Sequence, residues 1–297
     1  MSLVYEQNST LRKPSWLKRR IPSGATYQKV NMILQRSRSH TVCQKALCPN
    51  LGECFSRGTA TFLILGDRCT RNCRFCAIPN GPAGLPDSGE PRRVAKAVQD
   101  MGLRYVVITS VTRDDIPDGG SVIFAETIRH IRERIPDAFV EVLIPDFNGN
   151  AHALQTVLEA RPDVLNHNLE TVPRLYPRVR PEAVYHGSLD LLSHARAYAP
   201  AIPAKSGLML GLGETWEELR QVFEELIKVN CRILTLGQYL QPTKEHLPVE
   251  RFVPPEEFEE LRQTALEMGF SGVASGPFVR SSYHANELYN AVIEGCF

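Results

Sequence analysis

The chain contains no apolar run long enough to span a bilayer, and its opening residues, MSLVYEQNSTLRKPSW, hold no hydrophobic signal core. A cytoplasmic location is the resulting expectation. Nor is either sign of charge in excess: 34 Lys and Arg against 33 Asp and Glu leave a net charge of +1, so there is no global electrostatic case for a nucleic-acid or membrane partner. The basic knot Lys18-Arg19-Arg20 reads as a local, solvated patch. There is no long repeat, low-complexity tract or obvious linker, and no G-x-G-x-x-G follows the first predicted strand, which argues against a doubly wound dinucleotide-binding sheet. Disulfides are not expected either, because in a reducing compartment clustered cysteines serve as metal ligands or catalytic groups.

With 297 residues, 43% of them hydrophobic, the chain can bury a substantial core as one large domain or two modest ones. Residues 1–60 are polar and interrupted by proline, with one helix near Ala25–Ser37 and little core of their own. From Thr61 onward, β-branched apolar runs alternate with amphipathic stretches. Six strands are predicted, near Thr61–Leu65, Arg104–Thr109, Phe139–Ile144, Asp163–Asn168, Lys205–Leu210 and Arg232–Leu236. Helices are predicted between and after them, near Pro91–Met101, Ser121–Ile135, Asn150–Ala160, Ser188–Tyr198, Thr215–Val229 and Pro255–Met268. Sequential βα units of this kind favour an α/β fold, a barrel or partial barrel of parallel strands, whose chemistry gathers at the carboxyl ends of the strands.

Six of the eight cysteines fall in two triplets. The first, Cys43, Cys48 and Cys54, has C-x4-C-x5-C spacing and is expected in a loop; the second, Cys69, Cys73 and Cys76, is C-x3-C-x2-C within CTRNCRFC, just after the first predicted strand. A closed zinc site or a fully ligated cubane cluster takes four ligands, so each triplet lacks one. Three thiolates can hold three irons of a [4Fe–4S] cluster and leave the fourth open to a small ligand. The alternative for the second triplet is zinc with a histidine as fourth ligand, although none of the eight histidines lies within it.

CTRNCRFC matches the C-x3-C-x-Φ-C motif of the radical S-adenosylmethionine (SAM) superfamily, with Phe75 at the aromatic position. Joined to CQKALCPNLGEC, it resembles the lipoyl synthase family closely, and further matches run along the chain in TSVTRDDIPDGG (109–120), VEVLIPDF (140–147), NHNLET (166–171), SGLMLGLGE (206–214), LGQYLQP (236–242) and GPFVRSSYHA (276–285). The resemblance implies a partial (βα)6 TIM-like barrel over residues 61–270. Residues 1–60 would be an N-terminal extension carrying the auxiliary-cluster cysteines, and 271–297 a C-terminal extension carrying a serine ligand. It implies two [4Fe–4S] clusters and SAM as cofactors. Cys69, Cys73 and Cys76 would hold the cluster whose open iron binds SAM and cleaves it to a 5′-deoxyadenosyl radical. Cys43, Cys48 and Cys54 would hold an auxiliary cluster completed by Ser282, with Ser281 the second choice and the tail folding back across the barrel mouth. Read without the resemblance, the two serines are a turn or cap pair.

The implied reaction is sulfur insertion at C6 and C8 of an octanoyl chain already attached to a carrier lysine, the auxiliary cluster being consumed as sulfur source. Those carbons are unactivated, so a radical rather than a side-chain acid or base must remove hydrogen. Implied partners are octanoylated lipoyl carrier domains (2-oxoacid dehydrogenase E2 subunits, glycine cleavage H protein), a small electron donor such as ferredoxin or flavodoxin, and cluster-repair proteins. By family position, Thr109 and Ser110 approach the methionyl end of SAM, Asn168 and Glu170 its ribose, and the Gly207–Glu214 stretch, with Gly211, its backbone or adenine. Each has a bland reading: helix or turn caps for Thr109 and Ser110, pairing of Glu170 with Arg174, Arg178 or Arg180, and tight turns for the glycines. Arg113, Asp114 and Asp115 read as a local ion-pair network, and Arg280 as a group positioning the serine loop or the substrate path. Cys231 reads as a buried small hydrophobe and Cys296 as a free tail thiol; His284 follows the serine motif without an assigned role. Two other functions stay open, a methylthiotransferase-like sulfur-inserting enzyme, usually carrying an RNA-binding barrel not expected after Phe297, and a ferredoxin-like carrier, which would close each cluster with four cysteines.

Overall fold

The computed structural model describes residues 12–18 and 24–294, so Arg19, Arg20 and Cys296 lie outside the described residues. In chain order, helix α1 (Ala25–Ser37) leads into strand β1 (His40–Thr41), two short helices, α2 (Val42–Lys45) and α3 (Leu51–Ser56), and strand β2 (Thr61–Ile64). Alternation then sets in: α4 (Glu90–Met101), β3 (Tyr105–Ser110), α5 (Ser121–Arg134), β4 (Phe139–Leu143), α6 (Ala151–Glu159), β5 (Val164–Asn166), α7 (Tyr176–Val179) and α8 (Tyr185–Tyr198). The chain continues through β6 (Ala204–Leu210), α9 (Trp216–Lys228), β7 (Ile233–Gln238), α10 (Pro255–Glu267), β8 (Gly272–Gly276) and α11 (Ala285–Glu294). No helix among the described residues is long and apolar enough to cross a membrane.

The strands form one sheet in sequence order, β1 antiparallel to β2 and every later neighbour parallel. Strict sequential order without a switch point is the barrel-type connection expected from the alternating pattern. The sheet extends further than the six predicted strands, taking in β1 from the amino-terminal segment and β8 from the carboxyl-terminal one. Two-residue β1 and Gly-containing β8 (Gly-Val-Ala-Ser-Gly) carry too weak a period-2 signal to be found from pattern. A second difference concerns the first triplet. Cys43 and Cys54 sit on α2 and α3 rather than in a loop, because Thr41 caps α2 by accepting from the Gln44 amide, and helices of four and six residues are too short to show a 3.6 period.

β2 and β7 are buried along their whole lengths, as parallel strands covered on both faces should be. On the outside, Phe124, Ile128 and Ile131 of α5 and Leu219, Phe223 and Leu226 of α9 are buried in one core. α9 is fixed in place by a capping box in which Thr215 and Glu218 exchange backbone hydrogen bonds. Inside, Glu141 of β4 accepts from Lys205 Nζ (2.8 Å), Asn166 Nδ2 (3.2 Å) and Tyr105 OH (2.7 Å). With Lys205 and Glu141 2% and 1% exposed, this charge pair is fully enclosed, and its extra donors satisfy the carboxylate that burial would otherwise destabilise.

Candidate functional site

The second triplet occupies the loop that follows β2. Leu65 (φ 67°) and Gly66 (φ 96°) turn the chain, and the Leu65 amide donates to Glu90 Oε2 at 2.7 Å. The Cys69 sulfur accepts from the amides of Arg71 (3.4 Å) and Thr112 (3.3 Å). Arg71, 6% exposed, clamps the loop: its guanidinium donates twice to Asp114 (2.7 and 2.9 Å) and twice to Asp146 (2.6 Å each), tying the loop to segments after β3 and β4. From above, His246 meets the Cys76 carbonyl at 3.0 Å and the Leu247 amide donates to the Arg74 carbonyl at 3.2 Å. Neither Arg71 nor the 240–250 strap stands out in the sequence, since both act through partners distant along the chain.

The first triplet is at the other end of β2. Cys43 is buried beside Thr61, the first residue of that strand. Asn50, which precedes α3, donates to the Phe278 carbonyl at 2.6 Å, and Tyr283 donates to Glu53 Oε1 at 2.8 Å. The carboxyl-terminal tail is therefore pinned to the cysteine-bearing segment. Between those pins, Ser282 Oγ lies 2.8 Å from Thr61 Oγ1, while Ser281 Oγ is engaged by Asn168 at 2.7 and 2.9 Å. Ser282 thus meets the start of β2, whereas Ser281 faces Asn168.

The expected path of the tail across the barrel mouth is corrected. The tail runs through the interior and against the amino ends of the strands: Ser282 meets the first residue of β2, and the Tyr289 ring stacks on Tyr105 and Phe139, the first residues of β3 and β4, at 5.7 and 5.3 Å. Two glycines make room for it. A Cβ on Gly237 would lie 2.0 Å from the Val279 carbonyl, and one on Gly207 would lie 2.5 Å from Thr235 Oγ1 and 3.1 Å from Ser281 Oγ.

Both triplets line a single cavity of about 1000 Å³. Along β2 the two ends are separated by three residue steps, on the order of 10 Å. Leu63, Val107, Leu143 and Leu208 supply an apolar wall, and Phe75, Thr109, Ser110, Asn168 and Glu170 also face the cavity. Thr109 spends its hydroxyl on the Leu143 carbonyl (2.9 Å), but the buried Ser110 hydroxyl has no partner. Glu170, in left-handed conformation (φ 67°), accepts from Asn168 Nδ2 at 3.1 Å, and burial raises its pKa above the usual carboxylate range. Of the arginines offered as its partners, Arg174 is committed to Glu218 and Arg178 to Glu250, while the buried Arg180, which donates to the Asn168 carbonyl, acts on Glu170 through its charge and opposes the effect of burial. Arg280 faces the cavity and donates to the Val279 carbonyl.

Gly211 is not brought to the cavity. Its φ of 93° and the 2.3 Å approach of Gln238 Nε2 to a Cβ there account for the glycine by backbone packing. Arg113 pairs with Asp115 (2.8 Å) and Asp114 with Arg71, the ion-pair network read from the sequence. Cys231 is buried, its thiol donating to the Ala204 carbonyl, as a small core residue does. His284 bridges Arg57 (2.8 Å) and Glu287 (2.8 Å), which gives it a part in pinning the tail.

Chemically, these are thiols that resist ionisation in the bare protein: burial pushes Cys43 and Cys76 up to about 12 and Cys54 to about 11, with the neighbouring Cys48 adding to the first and last. Thiolates enclosed this way need a cationic partner, which suits iron.

His167 also lines the cavity, fully buried between the Ile144 carbonyl and Ser188 Oγ, 2.9 Å from each. Burial lowers it to about 4 from 6.5, so the imidazole is neutral in the fold. Because the unfolded chain takes up that proton first, stability falls as pH drops through the 6.5-to-4 window. Between pH 7.5 and pH 5 the expected loss is about 2 kcal/mol. Denaturant titrations at the two pH values should show His167→Gln losing correspondingly less.

Comparison with known proteins follows the same lines. The sequence model of the Radical SAM superfamily matches residues 63–226, and that of the N-terminal domain of lipoyl synthase matches residues 1–48. A lipoyl synthase of Desulfotalea psychrophila is 56% identical over 97% of this chain and 97% of its own length, and one of Roseiflexus sp. is 55% identical over 94% and 93%. Among solved structures, Streptococcus suis SuiB bound to S-adenosylmethionine shares the fold at a TM-score of 0.55 with 10% identity, covering 74% of this chain and 51% of SuiB.

Proposed function

We propose, for a chain that belongs to the lipoyl synthase family of the radical SAM superfamily, that this sulfurtransferase inserts sulfur at C6 and C8 of a protein-bound N6-octanoyl-lysine, with an auxiliary [4Fe–4S] cluster as the sacrificial sulfur donor. Superfamily membership brings one [4Fe–4S] cluster and SAM; the second cluster is part of the proposal. The observation that carries it is the pair of cysteine triplets at two ends of one cavity, with Ser282 beside the first.

The residues fit the groups the reading requires. Each triplet offers three thiols as ligands and Ser282 a hydroxyl, and the partnerless Ser110 hydroxyl awaits a polar ligand near the second triplet. When bound, the clusters and SAM supply a primary carbon radical able to take hydrogen from unactivated carbon, and sulfur to replace it. The chain supplies the rest. Cys69, Cys73 and Cys76 hold one cluster in a loop that Arg71 keeps rigid, and Phe75, Thr109, Ser110, Asn168 and Glu170 line the place for SAM. Cys43, Cys48, Cys54 and Ser282 hold the other. Leu63, Val107, Leu143 and Leu208 orient the acyl chain between them and exclude water, and the one cavity that both triplets line gives the chain access to each.

The roles divide along the chain: 1–60 carries the auxiliary ligands, 61–270 the radical SAM barrel, and 271–297 the serine ligand. The substrate is presented by octanoylated carrier domains of 2-oxoacid dehydrogenase E2 subunits or the glycine cleavage H protein. A ferredoxin or flavodoxin delivers electrons and cluster-repair proteins restore the donor, in the cytoplasm. Anaerobically reconstituted protein given SAM, dithionite and an octanoyl-lysyl peptide should yield 5′-deoxyadenosine and a peptide bearing two new sulfurs. Deoxyadenosine without sulfur in the peptide would point to a different radical enzyme, and no deoxyadenosine above background to an electron carrier.

A further inference from the structure

We propose that Thr61 is the positioning residue for the serine at the first triplet: its hydroxyl, hydrogen-bonded to Ser282, holds the tail's oxygen beside the cysteines. The inference rests on the reading of Cys43, Cys48, Cys54 and Ser282 as one ligand set. Thr61 opens β2, is 5% exposed, and is held in register opposite Val107 of β3. A β-branched side chain on a strand has a stiff χ1, so the hydroxyl is aimed before any ligand arrives.

That hydroxyl is the contact made to Ser282 itself, at 2.8 Å. The same residue neighbours Cys43, so the oxygen it holds sits at the first triplet. A hydroxyl has one proton to give, and Thr61 spends it on Ser282. The remaining tail contacts bracket Ser282 without touching it: Asn50 on Phe278, Glu53 on Tyr283, and Arg57 on His284. The neighbouring serine is not interchangeable with it, because Asn168 holds Ser281 on the opposite side of the cavity. Thr61 thus converts a pinned tail into a placed oxygen, and its single hydrogen bond is weak enough to be broken when Ser282 is released.

The test compares anaerobically reconstituted wild type with Thr61→Val, Thr61→Ser, Thr61→Ala, Ser282→Ala and Cys43→Ala. One readout is the rate at which an iron chelator strips the first-triplet cluster. The other is amide hydrogen exchange over residues 278–287 in the cluster-free protein, with exchange in β3 and β4 as the control for folding. Thr61→Val should lose that iron about tenfold faster, the scale of one hydrogen bond to a charged partner, and should exchange faster through the tail. Thr61→Ser should restore both. Thr61→Ala should match the valine variant, so poor folding of one substitution does not shield the proposal. Wild-type stripping and exchange in Thr61→Val and Thr61→Ala, or no rescue by serine, overturns the role of Thr61. Cys43→Ala that still holds about eight irons per chain overturns instead the ligand set on which the inference rests.

Discussion

Replacing Cys69, Cys73 or Cys76 with Ala should bring 5′-deoxyadenosine formation down to background, whereas replacing Cys43, Cys48 or Cys54 should leave SAM cleavage measurable but remove the sulfur-bearing product. The asymmetry follows from position. The second triplet lies in the loop after β2 with Ser110 and Glu170 on the cavity wall near it, and its loop is clamped by Arg71 to Asp114 and Asp146. The first triplet is at the opposite end of β2, where Thr61 holds the tail's Ser282. A cysteine lost at one end therefore deletes one ligand set and spares the other. Quantifying deoxyadenosine and peptide product by chromatography and mass spectrometry checks both halves. Variants of the first triplet that still add sulfur to the peptide contradict its assignment.

The second large effect is a stop after about one product per chain. In the proposed reading the sulfur comes from the ligand set enclosed by Cys43, Cys48, Cys54 and Ser282, and that store is finite. A time course without cluster-repair components should rise to about one modified peptide per reconstituted chain and then cease, while iron at the first triplet declines in step. Sustained turnover with that iron retained contradicts a sacrificial donor.

Much of this arrangement is legible in the sequence because the decisive signals are local. The spacing of Cys69, Cys73 and Cys76 after an apolar run places them at a strand's carboxyl end, and the 3.6-residue period of α1, α4 and α9 emerges within a residue or two of the observed bounds. What escapes is contact between distant residues. Asn50 and Phe278 are 228 positions apart, and nothing about a threonine opening a strand marks Thr61 as the neighbour of both Cys43 and Ser282. The glycines illustrate the same limit. Gly211 invites a ligand-binding reading but serves a backbone turn, while Gly237 is small because the tail passes over it and Gly207 because Thr235 and Asn168 crowd it before the tail does. The short helices under Cys43 and Cys54 are too brief for periodicity, and the tail's entry at the amino end of the sheet depends on Tyr289 finding Tyr105 and Phe139.

The most direct test of the account is isotopic. Protein reconstituted with 34S-sulfide and freed of excess sulfide is given SAM, dithionite and the octanoyl-lysyl peptide under single-turnover conditions with unlabelled sulfide present. The account predicts a product carrying two 34S atoms, and none from a Cys43→Ala protein treated the same way. A product containing only unlabelled sulfur would contradict it.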